Sequence, residues 1–157
     1  MMPKEFDYYL KKRIVRRIGQ DAQKAGFLIK ESETSLRGLN KRLEKMGIDE
    51  DNANSIIKDA YDIVMELIRA KLLMDGYSAS GNFAHEAEIS YLKRLNLQDN
   101  EIIFLNELRY SRNSITYYGK IFDKEYAEKV IAFLKKHYTN LRELLKQEKH
   151  KKAGEDN

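Results

Sequence analysis

The sequence contains no cysteine and a single proline, Pro3, and it has no long apolar run. Without cysteine the chain can form neither a disulfide nor a thiolate site, a composition compatible with the cytoplasm. No apolar run approaches the ~18 residues that a membrane span requires, and the N-terminus lacks the apolar core of a signal peptide. We therefore expect a cytoplasmic protein that does not insert into a membrane.

Ligands for metals and cofactors are also scarce. The three histidines are scattered along the chain. The segment HEAE, which includes His85, lacks the second histidine that a zinc-protease helix carries four residues after the first. The loop GYSASGN has no lysine at the position that a phosphate-binding loop requires. The sequence therefore predicts no metal site and no bound cofactor.

Charge, in contrast, is abundant. Charged residues make up 34% of the 157 residues, and with so few helix breakers this composition favours helices throughout. The net charge of +4 is only weak evidence for nucleic-acid binding. We expect an all-α fold, an up-and-down bundle of about five helices that forms a single domain over residues 1–147.

The N-terminal part of this domain, residues 1–46, is predicted to be a helical extension. An apolar stripe with helical spacing runs through residues 6–46, so we expect either one long bent helix or a pair of helices broken near Gly26. Unbroken, it would measure ~60 Å, too long for a compact bundle, and part of it would project or wrap around a partner. No strand is predicted in this or any other segment.

A cluster of basic residues lies near the start of this extension. Its members are Lys11, Lys12, Arg13, Arg16 and Arg17. The pattern is typical of a solvated helix face, which we favour, and a ridge that contacts phosphates is the alternative.

The bundle core is predicted over residues 52–147. Periodic apolar positions and capping residues predict helices that begin near Asn52 or Asn54, Asn82, Asp99 and Asp123. They end near Asp75, Asn96, Gly119 and Leu145. Residues 148–157 are charged and unpatterned, and we expect them to form a disordered tail.

One arginine of the helix that begins at Asp99 interrupts an apolar stripe. That stripe consists of Leu105, Leu108, Arg112 and Ile115. A polar row beside it consists of Arg109, Asn113 and Thr116. A guanidinium on an apolar face needs a carboxylate, a phosphate or carbonyl oxygens, because an unpaired buried charge is prohibitive. Position alone favours an internal ion pair, with Glu107 or with a glutamate on another helix, over an anion-binding site.

Four segments occur in an order that is typical of a known family. An apolar helix ends in KLLMDGYSASGN, and a short helix with an early histidine follows, FAHEAEISYLKRL. Next come LRYSRNSITYYG and the long helix KEYAEKVIAFLKKHY. In this order the chain from about residue 55 to residue 138 resembles the HEPN domain, a small helical nucleotide-binding domain.

The resemblance implies a helical bundle that commonly forms a homodimer. Many members are metal-independent ribonucleases whose motif is an arginine, a polar residue and, a few residues further on, a histidine. Arg112 and Asn113 match the first half of that motif, whereas Tyr117 or Tyr118 occupies the histidine position. We therefore expect a degenerate motif, with candidate catalytic residues Arg112, Asn113 and Tyr118. The candidate binding residues are Arg109, Arg112, Tyr117 and His85.

Three functions remain open at this point. The first is a dimeric HEPN-type module that binds RNA, a nucleotide or a nucleotidyltransferase partner, as in toxin–antitoxin pairs. The second is an active metal-independent, toxin-like ribonuclease in which Tyr118, Asn113 or a histidine from elsewhere, His85 or His137, moves protons. The third is a structural helical adaptor in which Arg112 forms an internal ion pair.

Overall fold

The structure is a computed structural model that describes the backbone of residues 1–155 and the side chains of residues 1–146. Its elements are α1 (Phe6–Lys11), β1 (Val15–Arg17), α2 (Ala22–Met46), α3 (Ala53–Met74), β2 (Tyr77–Ala79), α4 (Ala84–Ser90), a 3₁₀ helix (Tyr91–Leu95), α5 (Asp99–Tyr118) and α6 (Lys124–Glu155). The chain is 74% helical, which confirms the predicted all-α bundle. None of the described helices combines the length and apolar character required to cross a bilayer.

Helix α3 is the centre of the bundle. Most of its side chains are buried, among them Ile57, Leu67 and Ile68 with no measurable exposure. A helix that is apolar on nearly every side must be covered on every side. Helices α2 and α6 pack along it, and α4 and α5 cover its remaining face. Several polar side chains of α3, among them Tyr61 and Arg69, are therefore held against α4.

The N-terminal segment differs from the prediction of one bent helix or of two helices broken near Gly26. The break lies between Lys11 and Ala22, and Gly26 is inside α2. In the break, β1 pairs with β2 in antiparallel register, with Val15 opposite Ala79. The prediction that the chain contains no strand is therefore wrong, because strands of three residues are too short to give a detectable alternation.

Side chains from residues 1–46 belong to the same core as the rest of the bundle. The ring of Phe6 lies 5.1 Å from that of Tyr77 and 4.8 Å from that of Tyr91, measured between centroids. On α2, Ala25 and Leu39 are fully buried. The segment predicted as an extension thus supplies part of the apolar surface that stabilises α3 and α4.

The predicted helix ends agree with the structure in most places. Asn96 and Gly119, which follow the 3₁₀ helix and α5, both adopt left-handed backbone, with φ of 64° and 63°. Such a residue ends a helix by turning the chain away from its axis. Asp123 accepts a hydrogen bond from the backbone nitrogen of Tyr126 and so caps the start of α6.

The C-terminal helix is longer than predicted. It is assigned through Glu155, beyond the predicted end near Leu145. The side chains of residues 147–157 and the backbone of residues 156–157 lie outside the described part of the chain. The backbone is thus helical at residues 148–155, where the sequence predicted a disordered tail.

Truncating a buried side chain of α2 tests whether this helix belongs to the core. We expect Leu39→Ala to lower the free energy of unfolding by about 2–5 kcal/mol, because it leaves a cavity against α3. Met46→Ala, on the same helix and 64% exposed, is the control and should change it by less than about 0.5 kcal/mol. Urea denaturation of both variants measures the difference, and equal effects would contradict the packing of α2.

Candidate functional site

Polar side chains gather where α3, α4 and α5 meet, in what we call the polar cluster. Its members are Tyr61, Asp62 and Arg69 from α3, His85, Glu86 and Glu88 from α4, and Asn106, Arg109 and Arg112 from α5. Most of them are half-buried, and Tyr61, Glu88 and Asn106 are fully buried. The cluster thus brings three guanidinium groups and one imidazole into a partly desolvated region.

Arg69 and Glu88 form the tightest ion pair of the cluster. The Nε and one terminal nitrogen of Arg69 donate to the two carboxylate oxygens of Glu88, at 2.8 and 3.1 Å. The side chain of Glu88 is 2% exposed, so burial raises its pKa, and the hydrogen bonds from Arg69 oppose that rise. Because this guanidinium is held by two hydrogen bonds, we assign Arg69 to the structure of the site and not to ligand binding.

Arg109 is held more loosely. Its Nε donates to the side-chain oxygen of Asn106 at 3.0 Å, while a terminal nitrogen lies 3.9 Å from a carboxylate oxygen of Glu86. That second distance is too long for a hydrogen bond. Asn106 in turn donates to the carbonyl oxygen of Met1 at 2.7 Å, which fixes its orientation. One edge of the Arg109 guanidinium is therefore fixed and another is available.

Arg112 has the weakest set of protein partners. The nearest carboxylate is that of Asp62, 3.9 Å from a terminal nitrogen, and the side chain of Asp62 is 49% exposed. The Nε of Arg112 is buried and has no hydrogen-bond partner among the described residues. Glu107, a partner considered from the sequence, lies 4.0 Å from the amino group of Met1 instead. Arg112 therefore has a distant counter-charge and, at Nε, an unsatisfied hydrogen-bond donor.

His85 occupies the side of the cluster formed by α4. Its Nδ1 is 2.9 Å from the hydroxyl of Tyr61. Burial lowers the pKa of His85, and the positive charges of Arg69, Arg112 and Arg109 lower it further. The imidazole is therefore neutral at pH 7, with one ring nitrogen able to accept a proton.

The hydroxyl of Tyr61 stays protonated under the same conditions. Burial raises the pKa of Tyr61, with the nearby arginine charges opposing and the nearby carboxylates adding to the rise. If this hydroxyl donates to Nδ1 of His85, the other ring nitrogen carries the hydrogen and can donate to a ligand. If it accepts from Nδ1, the other ring nitrogen is a free base. Either tautomer leaves His85 one position for a ligand.

The remaining residues predicted from the sequence lie outside this cluster. Tyr117 and Tyr118 are in the last turn of α5 and are 70% and 85% exposed. Asn113 follows Arg112 directly and is half-buried, turned by about 100° around the helix axis. Of the predicted residues, the structure brings together Arg109, Arg112 and His85.

His137, the other histidine considered as a proton carrier, is in a different part of the bundle. It is 3% exposed on α6, and its Nε2 lies 3.6 Å from a carboxylate oxygen of Glu101. Burial lowers its pKa, and the charge of Glu101 opposes that shift. His137 is a buried residue of the α5–α6 contact, and His85 is the histidine that belongs to the cluster.

The contribution of α3 side chains to the polar cluster could have been predicted from the periodicity of the sequence. Asp62, Glu66 and Arg69 recur at helical spacing on a helix whose other faces are mostly apolar. Glu66 lies between the other two and borders a cavity against α2. Burial and the charges of Glu31 and Asp62 raise its pKa to about 7. A row of charges on a buried helix needs partners, which here come mainly from α4 and α5.

Within the described residues, no group of three or more acidic or histidine side chains is arranged as a metal site.

Comparison with known proteins gives no match: no family model, no curated protein and no solved structure is significantly similar to this chain.

Proposed function

We propose that this protein is a HEPN-type helical module that binds phosphate groups of RNA or of a nucleotide at Arg109, Arg112 and His85. The observation that supports this most directly is the state of Arg112. Its Nε is buried and has no hydrogen-bond partner in the described part of the chain, and its nearest carboxylate is 3.9 Å away and half-exposed. A desolvated guanidinium that lacks hydrogen bonds gains strongly when a phosphate supplies them.

The spacing of the two α5 arginines suits one phosphate. Residues three apart on a helix are neighbours, with Cβ atoms about 5–6 Å from each other. Both arginines have carboxylates at 3.9 Å, Glu86 for Arg109 and Asp62 for Arg112. These carboxylates would compete with a ligand, but neither one forms a hydrogen bond that the ligand must break.

Substitutions of Arg112 and Asp62 distinguish a phosphate-binding role of Arg112 from a role in an internal ion pair. We expect Arg112→Ala to weaken binding of single-stranded RNA or AMP by about 10- to 150-fold, the loss of one charged hydrogen-bonding group. Asp62→Asn should tighten it several-fold, because the competing carboxylate is removed. Fluorescence anisotropy and calorimetry measure both, with Arg37→Ala, an exposed arginine of α2, as the control.

The structural-adaptor hypothesis gives the opposite pattern. There Arg112 and Asp62 would stabilise each other, so that either exchange would lower the free energy of unfolding by about 3–5 kcal/mol without any effect on a ligand. Our proposal expects less than about 1 kcal/mol, because the pair is long and half-exposed. Thermal melts of the same variants therefore decide between the two hypotheses.

We also propose that the protein forms a homodimer, as the HEPN resemblance implies. Large apolar side chains are exposed at the end of α5 and in the loop that follows, namely Tyr117, Tyr118 and Ile121, at 70%, 85% and 80%. A contiguous exposed apolar patch is a candidate contact surface. A dimer through it would place the two copies of α5, and their arginines, near each other.

Light scattering tests the dimer. We expect twice the mass of one chain for the wild type and a shift to monomer for Tyr117→Ser/Tyr118→Ser, because the patch loses its apolar area. Phe27→Ser, which alters an exposed aromatic residue of α2, should remain dimeric. A wild type that is monomeric at all concentrations would contradict the dimer, and the nucleotidyltransferase partner would become the better explanation of the patch.

A second candidate function, a metal-independent ribonuclease, is favoured by the position of His85. The resemblance leaves the motif without its histidine, and His85 lies beside the arginines that would hold the phosphate. In this scheme the neutral imidazole accepts the proton of a ribose 2′-hydroxyl, whose oxygen attacks phosphorus. The bond to the 5′ oxygen breaks, and that oxygen leaves with a proton from water. Arg109 and Arg112 would stabilise the charge that develops on the phosphoryl oxygens.

The pH dependence of RNA cleavage tests this second function. Because His85 must be deprotonated and its pKa lies below the ordinary value, the rate should rise with pH through a midpoint below about 6.5 and then level off. His85→Gln and Arg112→Ala should each abolish cleavage, and EDTA should not. His137→Gln is the control. No cleavage by the wild type would leave the binding function alone.

A further inference from the structure

The basic cluster predicted from the sequence forms a concave surface, which we call the basic turn. Its residues are Lys11, Lys12, Arg13, Arg16 and Arg17, and all five are exposed. The sequence favoured a solvated helix face, but the chain leaves α1 after Lys11, turns at Arg13 and enters β1. Four of the cations line one surface cavity of about 600 Å³ together with Leu10 and Val15. The fold thus brings these positive charges together at one cavity, whereas a straight helix would distribute them around its axis.

Neighbouring carboxylates do not neutralise the basic turn. Glu5 forms an ion pair with Lys93 at 3.1 Å, and Asp7 forms one with Arg94 at 2.7 Å. Asp21 accepts a hydrogen bond at the start of α2. Among the described residues, none of the five cations has a carboxylate within 4.0 Å. The surface therefore carries an uncompensated positive charge.

The backbone at Arg13 explains how the chain turns out of α1. Its φ of 58° is in the left-handed region, where glycine or asparagine is the usual residue. The turn itself needs only this backbone conformation and not a guanidinium. Arg13 therefore ends α1 as Asn96 and Gly119 end their helices, and its guanidinium adds a charge to the cavity.

Helix α1 relates the basic turn to the polar cluster through the side chain of Tyr9. Tyr9 precedes Lys11 by two residues and is buried. Burial raises the pKa of Tyr9 to about 12, and the charges of Glu86 and Arg109 also act on it. This phenol is therefore close to two members of the polar cluster, and the basic turn begins two residues further along the chain.

We propose that the basic turn binds the phosphodiester backbone of single-stranded RNA, without preference for base sequence, and extends the ligand beyond the polar cluster. The choice of RNA as ligand rests on the proposed function. A flexible single strand can follow a concave cationic surface, which a rigid duplex cannot enter as closely. The polar cluster would then orient one phosphate, and the basic turn would provide most of the dependence on salt.

A membrane surface fits the basic turn less well. Peripheral binding to anionic lipids combines cations with apolar side chains that insert between headgroups. Helix α1 has six residues, of which Phe6 and Tyr9 are buried in the core, and the nearby Tyr8 and Ile18 are only 36% and 38% exposed. Few apolar side chains remain for insertion, so a phosphate backbone is the better ligand.

The test compares three forms of the full chain. We expect Lys11→Gln/Arg16→Gln/Arg17→Gln to bind a labelled RNA of about 15 nucleotides roughly 10- to 100-fold more weakly at ~0.1 M salt. The slope of log K against log salt should fall by about 2, since each phosphate contact contributes ~0.7. Lys41→Gln/Lys129→Gln/Lys135→Gln removes the same charge from exposed positions elsewhere and should leave both values nearly unchanged.

The outcomes separate this inference from the proposed function. If the basic-turn variant loses the salt slope while Arg112→Ala binds RNA normally, the basic turn stands and the polar cluster is not a phosphate site. If the variant keeps the wild-type affinity and salt slope, the inference is wrong. It is also wrong if the wild type binds anionic vesicles but not RNA. A wild type without affinity for RNA at ~50 mM salt overturns both.

A measurement on the wild type avoids any dependence on a variant that folds. Bound RNA should protect Lys11 and Lys12 from acetylation, measured by mass spectrometry, because their ammonium groups would contact phosphates. Lys41 and Lys129 should be acetylated equally with and without RNA. Equal acetylation of all four lysines in saturating RNA would overturn the inference.

Discussion

The ion pair between Arg69 and Glu88 determines where the other groups of the polar cluster lie. Helix α4 has seven residues, too few to be stable alone in water, so its position depends on what it packs against. Its apolar side chains are buried, and its one fully buried carboxylate needs the guanidinium of α3. His85 precedes Glu88 by three residues and lies on the same face of α4. Fixing Glu88 therefore also places His85 against the hydroxyl of Tyr61.

The ion pairs of the cluster differ in a way that matters for function. The pair of Arg69 and Glu88 is bidentate, and removing Arg69 would leave the buried charge of Glu88 without a partner. The two pairs of α5 are long and partly hydrated, at 3.9 Å each. The strong pair provides a rigid support, whereas the weak pairs leave Arg109 and Arg112 free to change partners. A site that must bind and release an anion requires this combination, because a fully paired arginine has little to gain from a ligand.

The sequence predicted the parts of this structure that depend on periodicity. The apolar faces of α3, α5 and α6 repeat over many turns, so the bundle could be predicted, and Arg112 was evident because it broke one of those repeats. The short strands and the turn at Arg13 gave no such signal. The partners of His85 and Glu88 lie 24 and 19 residues away on another helix. Contacts at such separations depend on tertiary packing, and only the resemblance to HEPN domains singled out His85 beforehand.

The polar cluster and the basic turn would act on an anion by different physics. Charges of the basic turn are exposed, so salt screens them over a Debye length of about 8–10 Å, and they attract any nearby polyanion. The groups of the polar cluster are half-buried, where screening is weak and hydrogen-bond geometry decides which ligand fits. The exposed charges would therefore determine how often RNA arrives, and the buried arginines would determine which phosphate is held.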